Sequence, residues 1–450
     1  MIARIRHYLV TPGLGSQLIK AMIGSAGLRI IGMGFGFLVG VQLARGLGPA
    51  GYGVYGIAMA AIAVFMIPTE LGLPQLVMRE VSSALALDGV GATAAIVKWG
   101  RRIVVMSSLA IASGVLCVLA TGLVDIDPGV RSTLMVGLLW IPIVAIGNIY
   151  GAALTGMHRV VRGQLGEFLI RPALISFVLF VIVNQGGLQL DPPYAMGVNV
   201  LGAVVSAGLS VFLLRRTNAA GSSGCVPTSL RFSHALPMAM SEGMRVLSAQ
   251  VGMLVLAVMA SKEEAGMYRV AYGIYTVTTM PSALINVACA PTISNLFAQS
   301  KLRELVRLNI WISIFLVVTA GIFLLLSYLG GRQAISILFG PEYADGATVL
   351  MIFMSGELVA SFFGHPTVVL NMMRRQKVVM WWSAAALAAN VLLTVILVRS
   401  VGYVGAAFGS AGGLVLWRAG CSVFAKMRFG MDTTFVTKLV SMPGLDRTRH

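Results

Sequence analysis

Charge is scarce in this chain: Asp, Glu, Lys and Arg make up 11% of its 450 residues, against an apolar fraction of 57% and a mean hydropathy of +0.88. That excludes an ordinary soluble domain, in which roughly a quarter of the residues are charged. Lipid is therefore the main solvent, and in lipid every backbone N–H and C=O needs an internal partner, which leaves helix bundles and closed barrels. Short stretches of alternating polarity, the mark of barrel strands, are missing. Continuous apolar runs of roughly 18–25 residues recur instead and select helices.

Cysteine is rare as well. Cys117, Cys225, Cys289 and Cys421 stand far apart, three of them in apolar runs and none in a CxxC spacing, so neither a disulfide framework nor a cysteine metal site is expected. No HExxH helix, P-loop or supported Ser/His/Asp constellation occurs, and nothing argues for covalent chemistry or a bound cofactor. Gly51-x-Gly53-x-x-Gly56 copies the letters of a dinucleotide-binding turn. No strand precedes it, so it reads as a Gly-rich turn feeding the second span. Residues 1–20 lack the apolar core and small-residue site of a cleavable signal and read as an amphipathic lead-in on the cytoplasmic surface. The net charge of +17 is no nucleic-acid footprint, because the bases do not gather on one soluble face.

What is present is a regular series of twelve expected spans: 21–44, 52–76, 103–124, 134–156, 165–184 and 194–214, then 235–260, 266–290, 308–329, 347–370, 378–398 and 402–425. The fold class is an all-α polytopic membrane protein. Of the 33 Lys and Arg, 24 fall to the N-terminus, the even-numbered connections and the C-terminal end, with Arg418 counted in the last; five fall to the opposite connections, beside acids such as Asp125, Asp127, Glu263 and Glu264. The positive-inside rule makes the basic side, with both termini, cytoplasmic. Trp99, Trp311, Trp381, Trp382 and Trp417 fall at the same boundary, as an interfacial belt would. The longest external connection, Gly330–Gly346, is too short to hold the sugar chemistry of a membrane polymerase or ligase.

The longest link, residues 215–234, contains a Gly/Ser-rich stretch and reads as a flexible cytoplasmic linker. It separates an N-lobe of helices 1–6 (21–214) from a C-lobe of helices 7–12 (235–425), with a tail over 426–450. Shifting the sequence against itself by 213 residues brings Leu43-Ala44 onto Leu256-Ala257, Gly53 onto Gly266, Tyr55 onto Tyr268, Ala58 onto Ala271, Val64 onto Val277 and Pro68 onto Pro281. This ungapped match marks a duplication, and six helices per half imply repeats related by an axis along the membrane normal, with a cavity between pseudo-symmetric lobes.

Charges at membrane depth carry the functional signal, because each costs a few kcal/mol unless it meets water or a partner. Glu167 and Arg171 stand at i,i+4, and Glu242 and Arg245 at i,i+3, so each pair can neutralise itself. Arg29 has no acid within a turn, and its face continues through Ser25, Gly36 and Gly40; Arg269 heads a face through Tyr272, Gly273, Thr276 and Thr279. An arginine above a small or polar stripe is what a cavity wall for an anionic ligand requires, since guanidinium grips phosphate through a two-pronged fork. Arg29, Arg269 and Arg245 are thus the candidate substrate-binding residues. Glu70, Glu357 and Glu242 are the candidate coupling sites for H+ or Na+, the alternative for Glu70 and Glu357 being a partner arginine. Gly32, Gly36 and Gly40 repeat every four residues and read as a helix-packing face.

Leu43-Ala-Arg-Gly-Leu-Gly-Pro-Ala-Gly-Tyr-Gly-Val-Tyr55, with Glu70-Leu-Gly-Leu-Pro74 and Arg79-Glu80, closely resembles the first two helices of bacterial polysaccharide flippases. These form the Wzx-like, O-antigen and exopolysaccharide branch of the multidrug/oligosaccharidyl-lipid/polysaccharide exporter (MOP) superfamily. Asn390 followed by Gly402-Tyr-Val-Gly-Ala-Ala407 is similar to the closing helix pair of that family. The resemblance implies a two-lobed inner-membrane flippase that moves an undecaprenyl-pyrophosphate-linked oligosaccharide by alternating access, with a cationic cavity to which Arg29 and Arg269 contribute. It also implies service to lipopolysaccharide, exopolysaccharide or capsule assembly, beside a polymerase and a chain-length regulator. A cation-coupled multidrug exporter of the same superfamily is the rival, and would line its lobes with unpaired acids.

Overall fold

The computed structural model describes residues 14–87, 90–122, 126–184, 190–217, 232–299, 301–373 and 375–429. Most of the lead-in, most of the linker, the tail beyond 429, Asp125 and Cys225 lie outside these ranges. The described chain is helical and carries no strand. It divides into two compact units, residues 1–243 and 244–450, so the division falls inside one helix, after Gly243.

In unit 1, α1 (Leu14–Glu70) contains the first two spans. Its apolar stretch, Ile23–Glu70, has 48 residues and would reach roughly 72 Å if straight, more than twice the hydrocarbon thickness. It bends at Gly48, whose φ of 66° and ψ of 175° suit glycine alone, and Pro49 follows as the first residue of the next segment. The turn thus lies at Gly48-Pro49; Gly51, Gly53 and Gly56 are already helical. Leu71 and Gly72, both at positive φ, end α1. The expected second span therefore stops at Glu70, and an amphipathic helix, α2 (Leu73–Leu87), begins. Its Leu73, Val77, Val81 and Ala84 pack on α3 (Val90–Thr121), α5 (Trp140–Gly156) and the end of α8 (Pro192–Arg215).

Between these run α4 (Pro128–Leu138), α6 (Val160–Leu165) and α7 (Arg171–Asn184). Asp127, counted above as an external charge, caps α4 by accepting from the N–H groups of Gly129 and Val130. A π-turn, Gly166–Ile170, separates α6 from α7.

Unit 2 takes most of α9 (Phe232–Met259), then α10 (Lys262–Thr278), α11 (Met280–Ala298), α12 (Leu302–Phe339), α13 (Gly346–Ser361), α14 (Pro366–Met372), α15 (Gln376–Val401) and α16 (Tyr403–Phe429). Ser261 and Glu264 form a capping box that starts α10. The expected eighth span is broken at Thr279, just before Pro281, which lacks the N–H that a continuous helix needs. The tenth is broken between Phe362 and His365, where Gly364 takes a φ of 68° and Pro366 restarts the helix. Helix α12 runs on to Phe339, so the Gly330–Gly346 connection is largely helical. In the α15–α16 hairpin, Gly409 lies on the backbone of Thr394, and a Cβ there would collide with it.

Tyr55 and Tyr268 are both buried, and each bonds to its own unit's last helix, Tyr55 accepting from Asn199 at 2.9 Å and Tyr268 sharing a proton with Ser410 at 3.2 Å. Cys117, Cys289 and Cys421 are free thiols.

Candidate functional site

In unit 2, α9, α10, α13, α15 and α16 enclose a cavity of about 290 Å³. The polar stripe of α10 supplies Tyr272, Tyr275, Thr276 and Thr279. From α9 come Arg245 and Ser248, and from α16 Ser410 and Trp417. Among the described residues that line it, Arg245 carries the only formal charge. Its side chain is exposed, and both it and Arg269 lie within electrostatic reach of the Tyr272 ring. Arg269 itself is half-buried and stands one turn before Tyr272, outside the cavity wall.

Phe353 organises the aromatic side: Tyr275 stacks on it at 5.0 Å between centroids, and Tyr272 meets it edge-on at 5.7 Å. Asn390 fixes the opposite wall, donating to the carbonyl and the hydroxyl of Ser248 at 2.9 and 3.1 Å. Trp417 lines this cavity, whereas Trp311 and Trp381 are exposed. The indole N–H of Trp417 is buried with no partner among the described residues.

Behind Tyr275 lies an ion pair that the sequence did not reveal. Glu357, 5% exposed, accepts from Arg418 at 2.8 Å and from the Tyr275 hydroxyl at 3.0 Å. Arg418 had been counted with the cytoplasmic charges, but it is 7% exposed on α16. Fifteen residues into an apolar span, with Glu357 unmatched on another helix, it was available as a partner; position along the chain hid it. His365 stands just before α14 without a side-chain capping bond, buried and within electrostatic reach of Arg418. Glu242 is exposed on α9, one turn before Arg245.

Unit 1 holds a second cavity, of about 260 Å³, lined by Gly32, Met33, Gly36, Val39, Glu167, Phe168, Arg171, Pro172, Ile175 and Asn199. The guanidinium of Arg29 lies 4.7 Å from the centre of the Phe168 ring, and its buried Nε has no hydrogen-bond partner among the described residues. Glu167 and Arg171 do not pair with one another among the described residues: the π-turn between them rotates the i,i+4 register, and Arg171 lies over Trp140 at 5.5 Å instead. Glu70 accepts from Asn148 at 2.7 Å, so its partner is an amide and not an arginine. The glycine stripe is split in use. Gly32 sits against the Phe168 carbonyl, where a Cβ would collide, while Gly36 faces open cavity.

A sequence profile of the family described as polysaccharide biosynthesis protein matches residues 18–297. The chain belongs to this family. No curated protein sequence matches it. Among solved structures it is similar to an inward-facing multidrug resistance MATE family transporter of the MOP superfamily, with 12% identity, a TM-score of 0.75, and 94% of this chain and 100% of that one covered. It is also similar to the lipid II flippase MurJ in an inward closed conformation, with 13% identity, a TM-score of 0.68 and coverage of 94% and 91%. A MOP superfamily transporter from Pyrococcus furiosus with reversed polarity of its binding pocket matches at 14% identity and a TM-score of 0.66, covering 93% and 99%. Family and fold together make the protein a multi-pass, all-helical membrane protein of the polysaccharide biosynthesis family, with the fold that the MATE transporter and MurJ share.

Proposed function

We propose that this polysaccharide biosynthesis family member flips an undecaprenyl-pyrophosphate-linked oligosaccharide across the bacterial inner membrane by alternating access, with both termini cytoplasmic. Its product would feed O-antigen, exopolysaccharide or capsule assembly, beside a polymerase and a chain-length regulator. The observation that carries the reading is the unit 2 cavity, where among the described lining residues the Arg245 guanidinium is the only formal charge, set beside hydroxyls and aromatic rings. A multidrug cation needs an available acid there. The nearest buried one, Glu357, is already neutralised by Arg418.

Arg245, Arg29 and Arg269 are assigned to the anionic part of the substrate, each within its own unit. Fixed guanidiniums in a poorly screened site offset the desolvation of a pyrophosphate. Glu70, held by Asn148 alone among the described residues, is the foremost coupling group for H+ or Na+, ahead of Glu242 and Glu357. The test is complementation of a flippase-deficient strain: restored surface glycan supports the proposal, whereas vesicles that take up cationic dyes and ignore lipid-linked sugar refute it.

A further inference from the structure

The hydroxyls around the unit 2 cavity have a directional property that composition does not reveal. Thr276 donates its proton to the Gly273 carbonyl at 2.7 Å, Thr279 to that of Thr276 at 2.7 Å and Ser383 to that of Val379 at 2.8 Å. Each of these oxygens has spent its donor on its own helix and turns only lone pairs to the cavity. The Ser248 hydroxyl is oriented by the amide of Asn390. A ligand matched to this rim must bring several donors of its own.

The other walls ask for different things. Arg245 offers donors and a positive charge, so it selects one anionic group. Phe353, Tyr272 and Tyr275 form one packed aromatic cluster, and the face of such rings is negative, suited to the weakly positive C–H face of a saturated ring. A lipid tail would waste the hydroxyls, and an organic cation would meet Arg245. The volume, about 290 Å³, is at the lower end for ligand sites. It suits a single substituted ring.

From these complementarities we infer that the unit 2 cavity is a subsite for one pyranose ring carrying an adjacent anionic group, its C–H face on the Tyr272–Phe353 cluster, its hydroxyls donating to Thr276, Thr279 and Ser383, and its anion on Arg245. The inference deepens the flippase reading and rests on it for the origin of the ligand. Two sources share this chemistry: the reducing-end sugar phosphate of a lipid-linked glycan, and a uronic acid within the repeat unit.

The full chain in lipid nanodiscs, free of sugar-headed detergent that would compete, is titrated with a hexose 1-phosphate, the corresponding hexuronic acid, the neutral hexose and inorganic phosphate, each followed by saturation-transfer NMR or calorimetry. Saturable binding of either anionic sugar at least tenfold tighter than both the neutral hexose and phosphate supports the subsite, and the stronger of the two identifies the source. Arg245→Gln should erase that preference, and Thr276→Val, which keeps the side-chain shape, should weaken sugar binding several-fold while leaving the melting temperature unchanged. Equal binding of neutral and anionic sugars, equal binding of phosphate and sugar phosphate, or no saturable binding overturns it. If that happens while the chain still complements glycan export, the subsite falls and the flippase reading stands; binding without export has the opposite meaning.

Discussion

Arg418 donates to Glu357 at 2.8 Å deep within unit 2, with side chains only 8% and 7% exposed, and the Tyr275 hydroxyl closes the other carboxylate oxygen. Two helices far apart in the chain, α13 and α16, are thereby tied together behind the cavity wall. Removing one member of such a buried pair leaves an uncompensated charge, while removing both leaves none.

Arg418→Met alone should therefore cost about 3–5 kcal/mol and lower the melting temperature of the purified protein sharply. The double variant Glu357→Gln/Arg418→Met should recover most of that loss. Melting of the single and double variants by fluorescence-detected size exclusion tests the pairing; a double variant no more stable than the single one contradicts it.

Tyr275→Phe removes only the hydroxyl that meets Glu357 and keeps the stack on Phe353. A loss of about 1.5–3 kcal/mol is expected, since a hydrogen bond to a charged group is worth more than a neutral one. The same melting assay measures it.

Arg29→Ala and Arg269→Ala should each abolish glycan export in the complementing strain at normal membrane expression, with lysine at either position restoring part of it. Lysine keeps the charge and loses the planar fork. Surface glycan and immunoblot read out the two quantities separately; full export by both alanine variants would remove these arginines from the substrate path.

Glu70→Gln should leave sugar binding intact and eliminate transport driven by an imposed proton or sodium gradient in proteoliposomes. Asn148→Leu, which withdraws the amide that Glu70 accepts from, should slow gradient-driven transport. Unchanged rates with Glu70→Gln would exclude it as the coupling group.

Gly32→Ala should destabilise unit 1 by about 1–3 kcal/mol, because the added methyl meets the Phe168 backbone. Gly36→Ala, four residues on, meets nothing within 4 Å and should be tolerated. Folded yield of the two variants distinguishes packing from cavity wall along one glycine stripe that sequence spacing had treated as uniform.

The sequence by itself determined the solvent and the all-helical class, for a physical reason: hydrocarbon forces the backbone to bond internally, and long apolar runs supply helices able to cross it. Tyr55 and Tyr268 could be matched across 213 residues because the same burial selects the same side chain twice. The arginine-headed stripe of α10 was legible too, since helical period alone puts Tyr272, Thr276 and Thr279 on one face. Partnership was not. Whether Glu357 meets Arg269 or Arg418, whether Glu167 meets Arg171 across a π-turn, and whether Trp417 lines a cavity depend on which helices adjoin and how each is broken. Tertiary packing decided these, because an ion pair or a stacked ring is set over a few ångströms between segments far apart in the chain, where period and composition are silent.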